Sequence, residues 1–395
     1  MKIDKQLNIL VIGSGMYTTG RGTRDFGTIM PAIFEWQRSE NLIGKVIIAS
    51  TNANSSIDAK KRIKEMEDLT NIKLNVECIP KSGTDSESYI DAINQIPRPA
   101  IAVVAVPDHL HYQICKDCLI HDLFTIVVKP LTPRLDEAID LADLAKKKNL
   151  LAYVEFHKRL DEANMIMKDR FLKGNIGTPL YSIVEYSQRK SIPSKVFSSW
   201  ADKSNILQYL GIHYIDLMRF VTKARPVRVM ATGQKAWLVE RKIETYDSIQ
   251  CLIEWEYNDN SFIQAIHTNW IDPETSSAMS NQKIKFIGTE GRIESEQKDR
   301  GIKINIDNQC LEQPNPYFCY RYKNSDGYNE WRGYGINSFK QFFSDSYSIF
   351  FKSKEVGDYI TNRPTFEEAI YSSAVIEAAN KSLVLNSEWV EVFNE

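Results

Sequence analysis

The chain has 395 residues, of which 43% are hydrophobic and 25% charged, a balance typical of a soluble globular protein with two domains. Its net charge of −2 argues against nucleic-acid and membrane-surface binders, and no apolar run approaches the roughly 20 residues of a membrane span. Six cysteines are too few for a disulfide framework, and the polar residues 1–6 lead directly into an apolar run. We therefore expect no signal peptide and a cytoplasmic location.

The first predicted element is the apolar run at residues 7–12, which ends in Gly13-Ser14-Gly15-Met16. This pattern is typical of the first strand and turn of a dinucleotide-binding βαβ unit, in which one glycine permits a tight turn and the next leaves room for a pyrophosphate. A strict motif has a third glycine where this chain has Thr18. On the motif alone, a strand followed by an ordinary glycine turn remains an alternative.

A long loop rich in Gly and Arg follows the turn. Arg21 and Arg24 within it could clamp a phosphate or a substrate, because guanidinium groups bind such anions well. The loop could equally be solvated and point away, and the residues leave both interpretations open.

Short apolar runs then recur, separated by helical patterns, up to residue 154. The runs lie at residues 46–49, 74–79, 101–106, 124–128 and 151–154. They are continuous rather than alternating, as in parallel strands that are buried on both faces. Residues 1–154 are therefore predicted to form a doubly wound parallel sheet of the Rossmann type, with α/β architecture.

Ligands in such sheets bind beyond the carboxyl ends of the strands, so residues at those ends are the first candidates. They lie at positions 50–52, 107–109 and 129–130. One intervening helix carries Cys115 and Cys118, a lone Cys-x-x-Cys that we interpret as two small helix residues, since zinc sites normally need four ligands. We expect no metal.

The pattern changes in residues 155–395, which are predicted to form an α+β domain with a mostly antiparallel open sheet. A helix is expected over about 160–173, and every second residue is apolar at 249–257 and again at 302–306. A C-terminal helix is predicted at about 365–382, where it could pack back on the first domain. The aromatic stretch at 309–335 either stacks on a ligand or is an insertion or subunit-contact loop packed by its own rings.

Two ionisable residues are candidate catalysts. Lys129 follows a buried strand, and partial burial there would make it a useful proton donor. His213 lies on a predicted helix, and imidazole suits removal of a hydroxyl proton near neutral pH. A lone helical histidine is more commonly an ordinary core residue, so the residues alone leave its role open.

Several motifs in the right order resemble the glucose–fructose oxidoreductase and inositol dehydrogenase family (Gfo/Idh/MocA) over nearly the whole chain. Besides the glycine turn, the stretch at 107–111 resembles P-N-H-x-H, 128–130 resembles E-K-P, 156–160 resembles N-x-R-F and 211–216 resembles G-x-H-x-x-D. Gly288-Thr289-Glu290-Gly291 and the helix after Arg363-Pro364-Thr365 also fit the family.

The resemblance implies an NAD(P)-dependent oxidoreductase acting on a sugar, sugar derivative, nucleotide sugar or cyclitol, with Lys129 and His213 as the catalytic pair. It places the cofactor against Gly13, Gly15, Met16, Tyr17, Ser50, Thr51, Asn52, Val106, Pro107, His109 and Lys129. It places the substrate against Lys129, His157, Arg159 and His213, and Arg21 of the long loop is a further candidate from its charge alone. It also implies a homodimer or homotetramer built on the open sheet.

Two departures from the family bear on this assignment. Val128 stands where E-K-P has its glutamate, and Tyr209 stands where many members carry an aspartate four residues before the histidine. A phenol can relay a proton but carries no carboxylate charge at neutral pH, so Tyr209 completes the catalytic set only in part. Two alternatives to a dehydrogenase therefore stay open: an enzyme like the family's glycosidases, which recycles its cofactor, and a non-catalytic cofactor-binding sensor or repressor.

The residues after the second predicted strand bear on cofactor choice. NAD-binding units usually carry Asp or Glu there, which holds the ribose 2′-hydroxyl and repels a 2′-phosphate. This chain has Ser50, Thr51 and Asn52, and no carboxylate precedes Asp58. We therefore favour NADP over NAD, with dual use as an alternative.

Overall fold

In the computed structural model the described residues are 5–393. Residues 1–4, which form most of the polar segment expected before the first strand, lie outside them, as do residues 394–395. The chain divides into two compact units. Unit 1 comprises the described residues up to Leu131, Glu137–His157 and Tyr317–Glu368, and unit 2 comprises Thr132–Asp136, Lys158–Pro316 and the described residues from Ala369 onward.

Unit 1 contains a six-stranded parallel sheet in the order β3-β2-β1-β4-β5-β6. Its strands are β1 (Leu7–Ile12), β2 (Ile43–Ala49), β3 (Asn75–Ile79), β4 (Ala100–Val104), β5 (Phe124–Val128) and β6 (Ala152–Glu155). β1, β4 and most of β5 are buried throughout, because helices cover both faces. The prediction of a doubly wound Rossmann sheet is confirmed.

Helices alternate with these strands. They are α1 (Met16–Thr19), α2 (Ile29–Glu40), α3 (Ala53–Thr70), α4 (Ser88–Gln95), α5 (His111–Ile120) and α6 (Leu135–Lys147). α1 is a single turn that ends at Gly20 in the left-handed conformation, so the chain crosses a loop before α2 begins. Cys115 and Cys118 are both buried in α5, and burial raises the pKa of each thiol. Residues 5–393 contain no group of three or more His, Cys, Asp or Glu side chains arranged to hold a metal ion.

A late segment of the chain completes the core of unit 1. The aromatic stretch forms a hairpin of β13 (Tyr320–Lys323) and β14 (Asn329–Arg332), followed by α9 (Tyr334–Phe351). Trp331 packs edge-on against Phe26, and Trp36 of α2 contacts Phe343 of α9 at a ring-centroid distance of 5.7 Å. The sequence analysis places residues 317–368 in the second domain, whereas here they belong to unit 1 because their rings fill its core.

Unit 2 contains a seven-stranded sheet in the order β12-β11-β7-β10-β9-β8-β15, in which only β7 and β10 pair in parallel. Its strands are β7 (Pro179–Arg189), β8 (Arg225–Gln234), β9 (Ser248–Tyr257), β10 (Asn260–Asp272), β11 (Ser280–Gly288), β12 (Arg292–Glu296) and β15 (Val390–Glu391). Burial alternates along β9 and β10, so one face is covered and the other is open. The predicted α+β class of this half is confirmed.

Three helices belong to unit 2 in whole or in large part: α7 (Glu162–Leu172), α8 (Ile212–Thr222) and α10 (Phe366–Val384). The strand predicted at 302–306 is wrong. Within the described residues, Ile304 makes only an isolated bridge to Glu312, and Ile302 and Ile306 are exposed. No helix within residues 5–393 is long and apolar enough to span a membrane.

Candidate active site

The glycine turn after β1 combines a position that only glycine can occupy with an open space beside the next glycine. Gly13 has a φ of +100°, and a Cβ built there would lie 2.1 Å from the carbonyl oxygen of Ala105, so only glycine fits. Among the described residues, no heavy atom lies within 4 Å of a Cβ built on Gly15, so the space beside it is open. The hydroxyl of Thr18 donates to the Gly13 carbonyl oxygen over 2.8 Å. Threonine therefore closes the turn at the position where the strict motif has its third glycine.

The residues after β2 lie beside this turn. The Ser50 hydroxyl donates to Ser14 Oγ over 2.8 Å, which ties the end of β2 to the glycine turn. Asn52 Oδ1 accepts a hydrogen bond from the Ser55 amide over 2.9 Å and so caps α3. Thr51 is exposed between them. The structure thus brings Ser50 to the glycine turn and commits the side chain of Asn52 to the helix.

The long loop after α1 is held by arginines. Arg21 is exposed, and its guanidinium donates to Ser55 Oγ at the start of α3. Arg62 of α3 donates to the carbonyl oxygens of Thr19 and Asp25, and its guanidinium lies 4.2 Å from the centroid of the Phe26 ring. Two arginines therefore fasten the loop to α3.

The loops after β4 and β5 are joined by a buried histidine. His111 places Nδ1 2.7 Å from the Pro130 carbonyl oxygen and Nε2 2.9 Å from that of Val106. Burial lowers the pKa of the His111 imidazole. Pro107 precedes the short 3-10 turn of Asp108–Leu110, in which His109 is exposed. His111 therefore positions the backbone at two of the strand ends that sequence analysis identifies.

Lys129 lies immediately after β5 and is partly buried. Burial lowers the pKa of its ammonium group to about 7, whereas the nearby charges of Asp108 and Glu155 act to raise it. A lysine in this state can both hold and release a proton near neutrality. The structure therefore places Lys129 partly buried at the carboxyl end of β5, the position from which the sequence predicts a role in catalysis.

Glu155, the last residue of β6, was missed by sequence reasoning. Its side chain is almost fully buried, with both carboxylate oxygens 3.0 Å from His157 Nδ1. One of these oxygens also accepts a hydrogen bond from the Ser338 hydroxyl of α9 over 2.7 Å. The His157 ring contacts Phe318 and Tyr334 at centroid distances of 5.0 and 5.7 Å. The available signal was a carboxylate directly following a buried apolar run at a strand end.

His213 and Tyr209 lie on one continuous helical segment of unit 2. A π-helical turn over Leu207–Gly211 runs into α8, and His213 follows Tyr209 by four residues. His213 is 2% exposed, with its ring centroid 6.4 Å from that of Tyr186. Tyr209 packs against Phe197, Trp200 and Trp270 at centroid distances of 5.0 to 5.9 Å. Tyr209 therefore sits in an aromatic cluster on the segment that carries His213.

Arg159 is buried in unit 2 and forms a bidentate ion pair with Asp216 of α8, at 2.8 Å for Nε and 2.5 Å for Nη2. Its neighbour Lys158 is 1% exposed and donates to the side-chain oxygens of Gln282 and Gln297. Burial lowers the pKa of Lys158 to about 7, while Asp161 acts to raise it. Sequence analysis expects Arg159 to line the substrate pocket, but its planar group is engaged with Asp216.

Two family descriptions match most of the chain. "Oxidoreductase family, NAD-binding Rossmann fold" matches residues 7–156, and "GFO/IDH/MocA C-terminal domain" matches residues 165–294. The chain belongs to the Gfo/Idh/MocA oxidoreductase family. The resemblance inferred from the sequence motifs is thereby confirmed, as is an NAD-binding Rossmann fold for the first domain.

Curated relatives of this Gfo/Idh/MocA member match it in part. Levoglucosan dehydrogenase of Pseudarthrobacter phenanthrenivorans is 26% identical over 61% of this chain and 57% of its own length. An uncharacterised oxidoreductase of Schizosaccharomyces pombe is 29% identical over 29% of this chain and 32% of its own length. The chain thus spans between a third and somewhat over half of these relatives.

Solved structures of low sequence identity share the fold over almost the full length. Myo-inositol 2-dehydrogenase from Lactobacillus plantarum superposes with a TM-score of 0.69 at 16% identity, covering 98% of this chain and 100% of that one. Scyllo-inositol dehydrogenase from Lactobacillus casei, solved with NAD(H) and scyllo-inositol, gives 0.68 at 15% identity, with 98% and 99% covered. These likenesses establish the fold.

Proposed function

We propose that this protein is an NAD(P)-dependent dehydrogenase or reductase that acts on a hydroxyl-bearing carbon of a sugar-like compound. The observation that carries the proposal is Lys129, a partly buried lysine with its pKa lowered to about 7, in the same unit as the glycine turn. A group that gains or loses a proton near neutrality at the carboxyl end of a Rossmann strand is suited to chemistry on a substrate oxygen.

The residues around the glycine turn fit a dinucleotide. The open space at Gly15 supports binding of a pyrophosphate there, and the hydrogen bond from Ser50 to the glycine turn supports contact of Ser50 with the ribose of the adenosine half. The nicotinamide of NAD(P), when bound, accepts or donates the hydride. Side chains of the protein must then accept or donate every proton that the reaction moves. In the oxidation direction His213 takes the hydroxyl proton, and the Lys129 ammonium stabilises the developing alkoxide.

The substrate class is supported by the relatives. Levoglucosan dehydrogenase, myo-inositol 2-dehydrogenase and scyllo-inositol dehydrogenase are all named for compounds with several ring carbons that bear hydroxyl groups. One sequence feature favours two other candidate functions, an enzyme that regenerates its own cofactor and a cofactor-binding sensor. Tyr209 replaces a catalytic carboxylate of many relatives, and the structure packs it in an aromatic cluster.

Absorbance of reduced nicotinamide, measured over a panel of levoglucosan, inositols and free sugars, separates these functions. A net change identifies a dehydrogenase and its substrate. Product formation without a net change identifies cofactor recycling. Cofactor binding with neither outcome identifies a sensor and contradicts the proposal.

We further propose a preference for NADP, and Ser50→Asp is expected to weaken NADP binding selectively. The added carboxylate would repel a 2′-phosphate, whereas the 2′-hydroxyl of NAD could still donate to it. Dissociation constants for both cofactors, measured by fluorescence titration, test the change. Ser39→Asp adds the same charge at an exposed site on α2 and should leave the ratio unchanged. An unchanged ratio in Ser50→Asp would place Ser50 away from the ribose.

We also propose that the open face of the unit 2 sheet forms a homo-oligomeric interface. Tyr181 and Ile183 on β7 are 43% and 38% exposed, although they lie on a central strand. The register places Ala265 of β10 and Lys285 of β11 beside Ile183, so an apolar patch is bordered by charge. Such patches are commonly buried between symmetry-related copies.

Ile183→Glu is expected to convert the oligomer to a monomer, because it replaces an apolar side chain at the contact by a charged one that must be desolvated. Light scattering after gel filtration at micromolar concentration measures the mass. Ile166→Glu is the matched control, since Ile166 is 60% exposed on α7, a helix that packs on the covered face of the sheet through Phe171 and Phe286. A monomeric wild-type protein would disprove the interface.

A further inference from the structure

A buried carboxylate lies on the strand next to Lys129. Glu155 ends β6, and its register partner on β5 is Val128, the residue that precedes Lys129. Residues paired across parallel strands direct their side chains to the same face of a sheet. Glu155 therefore places a carboxylate on the side of the sheet where Val128 offers only an apolar group.

Hydrogen-bond donors surround the carboxylate of Glu155. A buried carboxylate is costly unless donors surround it, and here His157 Nδ1 lies 3.0 Å from both oxygens and Ser338 donates over 2.7 Å. The charge of Glu155 also acts on Lys129 and on the Tyr17 phenol of α1. His157 and Ser338 thus contact this carboxylate directly, and its charge acts on Lys129 and Tyr17.

The same contacts fix the His157 ring. A proton on Nδ1 donated to Glu155 makes Nε2 the lone-pair nitrogen of the neutral imidazole. Phe318 and Tyr334 hold the faces of the ring. The orientation and the tautomer of His157 are therefore set by Glu155 and by two aromatic side chains.

We propose that Glu155 is a positioning residue of the reaction, which orients His157 to accept a hydrogen bond from a substrate hydroxyl and supplies the negative charge that keeps Lys129 an ammonium donor. The inference rests on the proposed function for the substrate and for the role of Lys129. It assigns to the neighbouring strand a carboxylate that the chain lacks at both Val128 and Tyr209.

The charged and titratable groups around this cluster determine the sign of the expected effect. Asp108, in the 3-10 turn after β4, and Glu155 both raise the pKa of Lys129 against the effect of burial. Around Glu155 itself lie His157, Ser338 of α9 and Tyr17, whose pKa burial and Glu155 raise well above its usual value. Removing the charge of Glu155 while Asp108 remains should therefore lower the pKa of Lys129 further.

The test is a titration of Lys129 that needs no turnover. The protein is prepared with ¹³C,¹⁵N-labelled lysine and titrated without chemical modification, and the Lys129 signal is identified by its loss in Lys129→Arg. In Glu155→Gln the titration midpoint of Lys129 should fall by roughly one pH unit or more, the scale of a nearby opposite charge, and Glu155→Asp should restore it in large part. An unmoved midpoint in Glu155→Gln overturns the proposal.

The chain provides its own control. Lys158 is also buried with a pKa near 7, but its charged neighbours are Asp161 and Arg300, so its midpoint should stay constant in both variants. An equal shift of both lysines in Glu155→Gln would show that the change at Lys129 is not the loss of one neighbouring charge, and would overturn the proposal. Ser338→Ala keeps the charge and should move the Lys129 midpoint far less than Glu155→Gln, and an equal shift would also overturn the proposal.

Turnover separates this inference from the proposed function. With the substrate found by the panel, Glu155→Gln should shift the Lys129 limb of the kcat–pH profile to lower pH and raise KM, while the dissociation constant of NAD(P) changes less than about twofold. Turnover with none of the panel compounds contradicts the proposed function but leaves the lysine titration to decide the role of Glu155. Normal turnover with an unmoved midpoint contradicts the inference alone.

Discussion

Replacing His213 or Lys129 by alanine is expected to lower kcat by roughly 10²–10⁴, the usual contribution of a positioned acid or base. His213 is a buried imidazole on α8, and Lys129 carries a pKa lowered to about 7 by burial. The two residues supply different parts of the reaction, removal of the hydroxyl proton and stabilisation of the alkoxide. Initial rates with the substrate identified by the panel measure both losses.

The affinity of the same variants for the cofactor is an independent measurement. NAD(P) should bind normally to His213→Ala, because the glycine turn belongs to unit 1 and His213 to unit 2. His121→Ala removes a half-buried imidazole at the end of α5 and serves as the control, with no expected loss of kcat. Near-normal turnover of His213→Ala would show that His213 is an ordinary core histidine.

The pH dependence follows from the state of Lys129. Because its pKa is about 7, the ammonium predominates below this pH and the amine above it. Any step that uses the ammonium should therefore slow as the pH rises through about 7. In Lys129→Arg this limb should disappear, since a guanidinium keeps its proton throughout the accessible range.

The Rossmann half was predictable because its signals are local. Continuous apolar runs, the turn at Gly13 and Gly15, and helical spacing between strands each need only a few neighbouring residues. The place of α9 was not predictable in this way. Only the fold shows that Phe343 of α9 packs against Trp36, which is far away in the sequence.

The candidate site likewise contains residues that local sequence signals identify and residues that only long-range contacts identify. Lys129 could be identified because it directly follows a buried strand, whereas Glu155 becomes visible only once its partners from α9 and the following turn surround it. A carboxylate after an apolar run is ordinarily solvated, so the sequence pattern predicts an exposed side chain where the structure has a buried one. Likewise, the engagement of Arg159 depends on Asp216, 57 residues later.

Asp216→Ala is expected to destabilise unit 2 by about 3–5 kcal/mol, one of the largest effects of any single substitution in this chain. The Arg159 and Asp216 side chains are 5% and 2% exposed, so removing the carboxylate leaves a guanidinium charge buried without its partner. The midpoint of thermal unfolding measures the change. Asp169→Ala on α7 is the matched control, since its ion pair with Lys173 is 52% and 60% exposed and should contribute at most about 1 kcal/mol.

Arg159 variants then distinguish support of the fold from substrate binding. Arg159→Lys keeps the charge but loses the planar fork that meets both oxygens of Asp216, so it should lower the unfolding midpoint with little change in KM. The double variant Arg159→Met/Asp216→Leu removes both charges, and should be less destabilised than the sum of the single changes because neither charge is left alone. A strong rise in KM for Arg159→Lys at an unchanged unfolding midpoint would contradict this expectation. It would show that Arg159 binds substrate, as the sequence alone predicts, and that the ion pair with Asp216 orients the guanidinium.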